Sequence, residues 1–234
     1  MIFYAPTISD SPYLSEEESA HAIRVLRLDV GDRIELVDGI GNYYEAEIVF
    51  PHHKRCEVRI LKQYENYNTF PFQLHLAIAP TKNMDRIEWF VEKATEIGVS
   101  EITPLLCRYS ERKIVKLERL NKIIVSAMKQ SKKSVLPQLN EMISFNEFVK
   151  KYGGVDNSFI AHCYEQKKQS LSELYQRGND ATIVIGPEGD FSEDEVAEAI
   201  KNGFSPITLG ESRLRTETAG IVACHTIHLL NSIL

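Results

Sequence analysis

No run of about 18 apolar residues, the length a helix needs to cross a bilayer, occurs in this 234-residue chain. Paired cysteines are missing as well. Cys56, Cys107, Cys163 and Cys224 lie far apart and form no C-x-x-C, which argues against the usual zinc and dithiol motifs and predicts reduced thiols in the cytoplasm. The first residues, MIFYAP, lack the basic region and apolar core of a secretory signal, so a cytoplasmic protein is expected. There is no Walker loop and no G-x-G-x-x-G after a strand, which disfavours a nucleoside triphosphate or a nicotinamide cofactor. His225 and His228 stand three apart in an apolar stretch without carboxylate or cysteine partners nearby, so no metal is expected. Internal repeats and low-complexity segments are also absent.

What is present has the balance of a globular protein, 43% hydrophobic and 26% charged, in a length that suits two modest domains without staples. The net charge of -6 argues against coating by nucleic acid, but its distribution is uneven. Between Arg108 and Lys133, nine basic residues face only Glu111 and Glu118. A local basic stripe on an acidic body can hold a polyanion at one place. A solvated helix face is the competing account of the same charges.

The first 65 or so residues read as mostly β. Ser15-Glu16-Glu17-Glu18 has a capping-box pattern that opens a helix to about Leu26. Strand patterns follow at 33–37, 43–50 and 56–64, with Asp38-Gly39-Ile40-Gly41-Asn42 as a hairpin turn. These elements predict a small β-barrel-like module, and residues 65–72 a linker. From residue 73 strands and helices alternate. Strands are expected at 74–79, 101–107, 159–162, 182–185 and 206–209. Helices are expected at 84–97 (closed by Gly98), 117–132, from Ser192 to before Gly203, and 218–230. Such alternation implies a largely parallel sheet covered on both faces.

Ligands in α/β sheets collect at the carboxyl ends of strands. Two loops there are unusual. Gly186-Pro187-Glu188-Gly189-Asp190 joins a buried strand to a helix, and its glycines let backbone approach a ligand. The stretch 209–219 (LGESRLRTETA) crowds two arginines and two glutamates at the entry of an apolar helix. A plain junction and a solvated loop are the bland alternatives.

At this point the ordered set His21…Val25-Leu26-Arg27, Lys82…Asp85-Arg86…Lys93-Ala94-Thr95-Glu96-Ile97-Gly98, Gln130-Ser131…Leu136-Pro137, Ile185-Gly186-Pro187-Glu188-Gly189 and Leu209-Gly210…Leu214-Arg215-Thr216-Glu217-Thr218-Ala219 resembles the RsmE family, bacterial methyltransferases acting on N3 of a uridine in 16S rRNA. The motifs span nearly the whole chain. Two departures stand out: Asp190 replaces the usual last glycine of Gly-Pro-Glu-Gly-Gly, and Arg213-Leu214-Arg215 stands where Ile-Leu-Arg is usual.

The resemblance implies a PUA-like RNA-binding β-barrel over residues 1–70 and a SPOUT α/β methyltransferase domain with a deep trefoil knot over 71–234. It implies bound S-adenosylmethionine, a homodimer, and 16S rRNA of the small ribosomal subunit as partner. Main chain near Gly186, Gly189, Leu209, Gly210 and Leu214 should hold the adenosine. Ile185, Pro187, Glu188, Ser212, Thr218 and Ala219 complete the expected cofactor site, with Ala79 and Pro80 as a further wall. Uridine N3 is a poor nucleophile until it loses its proton or the developing anion is stabilised. Arg215 suits that anion, because its fork donates two parallel hydrogen bonds. Glu188 or Glu217 could take the proton or orient the arginine, and Glu217 could equally be an acid favouring its helix dipole. Phosphate contacts are expected from His21, Arg24, Arg27, Arg108, Arg112, Lys113 and Lys132. Two other readings remain: a non-catalytic RNA-binding or assembly factor, and a SPOUT relative acting on tRNA or 23S rRNA.

Overall fold

The computed structural model describes residues 1–165 and 168–232. Contacts divide the chain into two compact units, Met1–Thr69 with Val125–Leu136, and Phe70–Ile124 with Pro137–Leu234.

In the first unit, strand β1 (Ile2–Tyr4) runs parallel to β2 (Arg33–Val37), and β3 (Tyr43–Phe50) and β4 (Glu57–Tyr64) follow antiparallel. The four form one sheet in that order. Alternation puts Ile34, Leu36, Ala46 and Ile48 on one face, where they cluster with Phe3, Ala22 and Val58. The Asp38 carboxylate closes the hairpin by accepting the Ile40 and Asn42 amides at 2.9 and 3.1 Å. Helix α1 (Glu16–Ala20) starts at Ser15, whose hydroxyl accepts the Glu18 amide, and continues as a single π turn, His21–Val25. Strand β1 had no period-2 signal long enough to read from sequence.

The stretch 125–136 returns to this unit for physical reasons. Met128 and Leu136 pack with Ile2, Val37 and Tyr43. Lys129 Nζ lies 2.5 Å from the buried Glu18 carboxylate. The amides of Gly41 and Leu136 donate to the Ser134 and Gly39 carbonyls.

The second unit is a parallel sheet. Its main strands are β5 (Leu74–Ile78), β6 (Glu101–Leu106), β9 (Ser158–Ala161), β11 (Ala181–Ile185) and β12 (Ser205–Thr208). Short β7 (Gln138–Leu139), β8 (Ile143–Ser144) and β10 (Gln169–Ser170) extend it, in the order β10-β12-β9-β11-β5-β6-β7, with β8 pairing β6 off that path. Strand β5 is buried throughout, the signature of a central strand covered on both faces. On one side lie α4 (Phe145–Tyr152) and α6 (Glu193–Lys201), whose Phe148, Val149, Val196 and Ala199 pack on Ala77, Ile160 and Val184. On the other lie α2 (Met84–Ile97) and α7 (Thr216–Ser232), so close that a Cβ on Gly220 would sit 2.5 Å from the Phe90 ring. A short α5 (Leu171–Leu174) contacts α7 as well.

Helix α3 (Leu117–Gln130) begins in this unit and ends in the other. Helix α4 was not expected from sequence, although its capping box, Ser144 with Glu147, was there to read. Helix α7 starts at Thr216 rather than at 218, so Thr216 and Glu217 are buried first-turn residues and not loop.

On β5, His75 donates to or accepts from Thr103 Oγ1 at 2.7 Å, and burial pushes its imidazole down from 6.5 to about 4. Among the described residues no helix is long and apolar enough to cross a membrane.

Candidate active site

Strands β12, β9 and β11 are neighbours, so their carboxyl ends present three segments side by side: 209–215, 162–165 and 186–192. Each parallel strand enters its loop at the same edge of the sheet, where ligand crevices form.

The 186–192 loop is held from several directions. The Asp190 amide donates to the Pro187 carbonyl at 2.9 Å. Asp190 has φ +65°, a left-handed conformation that Asp tolerates better than most side chains. Its carboxylate then accepts the Phe191 amide and the Cys163 amide of the next loop, both at 2.8 Å. Glu188 Oε1 accepts the Lys82 amide at 2.9 Å, and the Thr216 hydroxyl donates to the Gly186 carbonyl at 3.0 Å. A Cβ on Gly186 would press on the Phe191 ring at 3.1 Å.

The 209–215 loop is different. Gly210 turns at φ +125° with open space around it. Thr208 Oγ1 donates to the Gly210 carbonyl at 2.8 Å. Glu211, Ser212, Arg213 and Arg215 are exposed, and their side chains make no hydrogen bond or ion pair with any described residue.

These loops wall two adjoining cavities. One, of about 330 Å³, is lined by Ile185, Gly186, Pro187, Glu188 and Asp190 with Ala161, Cys163, Leu214, Ala219 and the arginines 213 and 215. The second, of about 360 Å³, is lined by Leu209, Gly210, Glu211, Ser212 and Leu214 with His162, Cys163, Lys168 and Ala219. A third, of about 610 Å³, shares the Arg213–Arg215 strip and adds Asp85, Arg86 and Trp89 from α2 with Glu217 and Thr218 from α7. A larger groove of about 640 Å³ beside Arg108, Phe145 and Glu195 lies off these loops.

The expected site residues therefore sort themselves. Ile185, Gly186, Pro187, Glu188, Leu209, Gly210, Ser212, Leu214, Arg215 and Ala219 converge on the first two cavities. Glu217 and Thr218 face the third. Gly189 instead backs onto Tyr109, where a Cβ would lie at 3.1 Å. Ala79 and Pro80 are buried beside the end of β11, with the Ala79 amide on the Ile185 carbonyl, and line none of the three. Neither glutamate pairs with Arg215. Glu188 is tied to Lys82, and Glu217 Oε1 stands 3.8 Å from Arg86 Nε, with Oε2 buried and without a hydrogen-bond partner.

Ala161, His162, Cys163 and Lys168 were missed, although the end of the β9 strand was a legible place to look. Burial and the neighbouring Lys168 ammonium push the His162 imidazole down, and Lys168 Nζ donates to the His162 and Tyr164 carbonyls. Burial and the Asp190 carboxylate push the Cys163 thiol up, which disfavours its thiolate form.

The basic residues divide. Arg24 and Arg27 are exposed, while His21 is half-buried with its ring edge-on to Phe3. Arg108 and Lys113 are exposed, but Arg112 is half-buried and donates from Nη2 to the Lys82 carbonyl at 2.6 Å. Lys132 is exposed with φ +55° and Nζ 3.9 Å from Glu35. Lys129 and Arg119 are engaged by Glu18 and Glu88, so part of the stripe holds structure together.

The comparisons with known proteins agree with this geometry. Residues 68–228 match the model of the RNA methyltransferase domain, and residues 14–61 that of the RNA methyltransferase PUA domain. The chain is 32% identical over 226 residues to the ribosomal RNA small subunit methyltransferase E of Rickettsia conorii, covering 94% of this chain and 90% of that one. It superposes on the crystal structure of a "probable rRNA-methyltransferase" from Porphyromonas gingivalis with a TM-score of 0.93 and 42% identity, covering 99% and 98% of the two chains. The ribosomal RNA small subunit methyltransferase E of Neisseria gonorrhoeae, solved bound to S-adenosyl methionine, matches with a TM-score of 0.85 and 29% identity over 98% and 97%. With both domain models matched in order and full-length relatives on either side of 30% identity, this chain belongs to the ribosomal RNA small subunit methyltransferase E family.

Proposed function

We propose that the chain transfers a methyl group from S-adenosylmethionine to N3 of a uridine in 16S rRNA of the small ribosomal subunit. The observation that carries this reading is the pair of cavities at the ends of β9, β11 and β12, walled by glycine backbone and apolar Ile185, Pro187, Leu214 and Ala219. Such walls suit a sulfonium nucleoside, which needs main-chain partners and apolar contact more than lysines. A relative bound to S-adenosyl methionine supports the choice.

Bound there, S-adenosylmethionine would supply an electrophilic methyl group. Of the expected cofactor residues, Ile185, Gly186, Pro187, Glu188, Leu209, Gly210, Ser212, Leu214 and Ala219 form the proposed site, Gly189 and Ala79–Pro80 support it from behind, and Thr218 lines the adjoining cavity. Arg215, exposed and with no side-chain partner among the described residues, would donate hydrogen bonds to the uracil oxygens as N3 loses its proton. Glu217 or Glu188 takes that proton or orients Arg215. His21, Arg24, Arg27, Arg108, Arg112, Lys113 and Lys132 contribute the RNA contacts, whose strength should fall with salt.

The same reading makes residues 1–70 a PUA-like RNA-binding barrel and 71–234 a SPOUT domain with a trefoil knot, in a cytoplasmic homodimer. The match of residues 14–61 to the RNA methyltransferase PUA domain supports the first part, and the parallel sheet supports the α/β character of the second.

Calorimetry with S-adenosylmethionine, then methyl transfer to small subunits from a strain lacking this activity, tests the proposal. Arg215→Ala should lower turnover on the order of 10²–10³-fold while cofactor binding survives. Near-normal turnover would remove Arg215 from the chemistry, and a wild-type protein that binds no cofactor would leave an RNA-binding factor instead.

A further inference from the structure

Arg213 and Leu214 line both cavities walled by the glycine loops, and with Arg215 they also line the cavity of about 610 Å³ that α2 and α7 complete. A methyl group crosses only the distance of a forming bond, so the acceptor must reach the donor directly, from a cavity that adjoins the cofactor's. The cavity that shares this strip is so placed.

Three features give the far cavity a chemistry. Trp89, the sole tryptophan of the chain, lines it with 45% of its surface exposed. A bare indole beside arginines is a platform for a nucleobase, because every base offers a π face and the flanking phosphate seeks the guanidinium. Arg86 and Arg213 stand at the same cavity. Arg86 is attracted to Glu217 without a hydrogen bond, at 3.8 Å, so its fork is still open to a phosphate. Finally, Glu217 is 7% exposed and its Oε2 has no hydrogen-bond partner among the described residues, so Arg86 at 3.8 Å from Oε1 offsets only part of the carboxylate's desolvation.

Resting on the methyltransferase reading above, we propose that this cavity is the acceptor site: an unstacked nucleotide of the RNA lays its base on Trp89 and its phosphate on Arg86 and Arg213, beside the cofactor, with the base edge reaching past the Arg213–Arg215 strip to the methyl group. Glu217 is a positioning residue there. It keeps Arg86 at the rim, and the arriving nucleotide completes the unmade polar contacts. Glu188, fixed to the Lys82 amide, lines the cofactor cavity instead.

The single tryptophan makes the test direct. A uridine-rich RNA decamer should quench Trp89 emission with the same midpoint as the anisotropy of the labelled strand. In methyl transfer to small subunits, Trp89→Ala should raise KM for RNA at least tenfold with the Kd for S-adenosylmethionine unchanged, and Trp89→Phe should stay within about threefold of the native protein. Arg86→Gln should raise KM and flatten its salt dependence. Bound RNA without quenching, or emission that follows protein concentration instead of RNA, overturns the assignment, and the latter makes this face a contact between copies of the chain. If the protein binds cofactor and methylates normally but Trp89→Ala leaves KM unmoved, only this inference fails. If the native protein does neither, the methyltransferase reading fails first.

Discussion

The two loops at the heart of the site solve opposite problems. Residues 186–192 are bonded to their surroundings through Asp190, Glu188 and the Gly186 carbonyl, which reach Cys163, Lys82 and Thr216. Residues 209–215 hold a turn at Gly210 and leave Glu211, Ser212, Arg213 and Arg215 without side-chain partners among the described residues. A loop with its hydrogen bonds already made presents a fixed surface to a ligand. One that keeps its donors free must be ordered by the ligand and loses conformational entropy on binding. The contrast suits a site where a constant cofactor meets a variable, flexible polymer.

Several measurements would break or sharpen that contrast. Acid acts on the sheet beneath both loops and sets the baseline. The unfolded chain protonates His75 below about pH 6.5 but the folded one only near 4, so stability is full above 6.5 and falls as pH drops through that window. Chemical denaturation should show a loss of up to about 3 kcal/mol between those limits, and His75→Gln should flatten the slope. Asp190→Ala removes an acceptor from two amides and puts a worse residue at positive φ. It should cost about 2 kcal/mol and weaken cofactor binding roughly tenfold by calorimetry. Thr216→Val deletes one bond to the Gly186 carbonyl and should cost about 1 kcal/mol in the same melts. Glu211→Ala or Ser212→Ala in the open loop should stay within about 0.5 kcal/mol. Were these last two as damaging as Asp190→Ala, the loops would not differ in the way described.

Much of the frame could be read from residues alone. Strands β2 and β3 and helix α2 fall where alternation, the Asp38–Asn42 turn and the Gly98 stop put them, because each signal is local. What escaped was short or long-range. Strands β1, β7, β8 and β10 are too brief to show a period, and their pairing depends on neighbours. Helix α7 starts two residues early because Thr216 finds the Gly186 carbonyl 30 residues away. Asp190 looked like a departure from a glycine pattern, and the structure explains it. The residue takes the left-handed turn and uses its carboxylate to join two loops.

By itself, the sequence determined the local choices: capping serines, turn residues, the buried run of β5, and two loops rich in glycine or charge, all set by chemistry within a few positions. Only the tertiary structure decided which of those groups meet. Strand order put the ends of β12, β9 and β11 together and brought in Cys163 and His162. Helix packing set Trp89 and Arg86 opposite Glu217 and tied Glu188 to Lys82. Side chains far apart in sequence become neighbours only when burial of the sheet fixes where each strand lies, and no local pattern encodes that order.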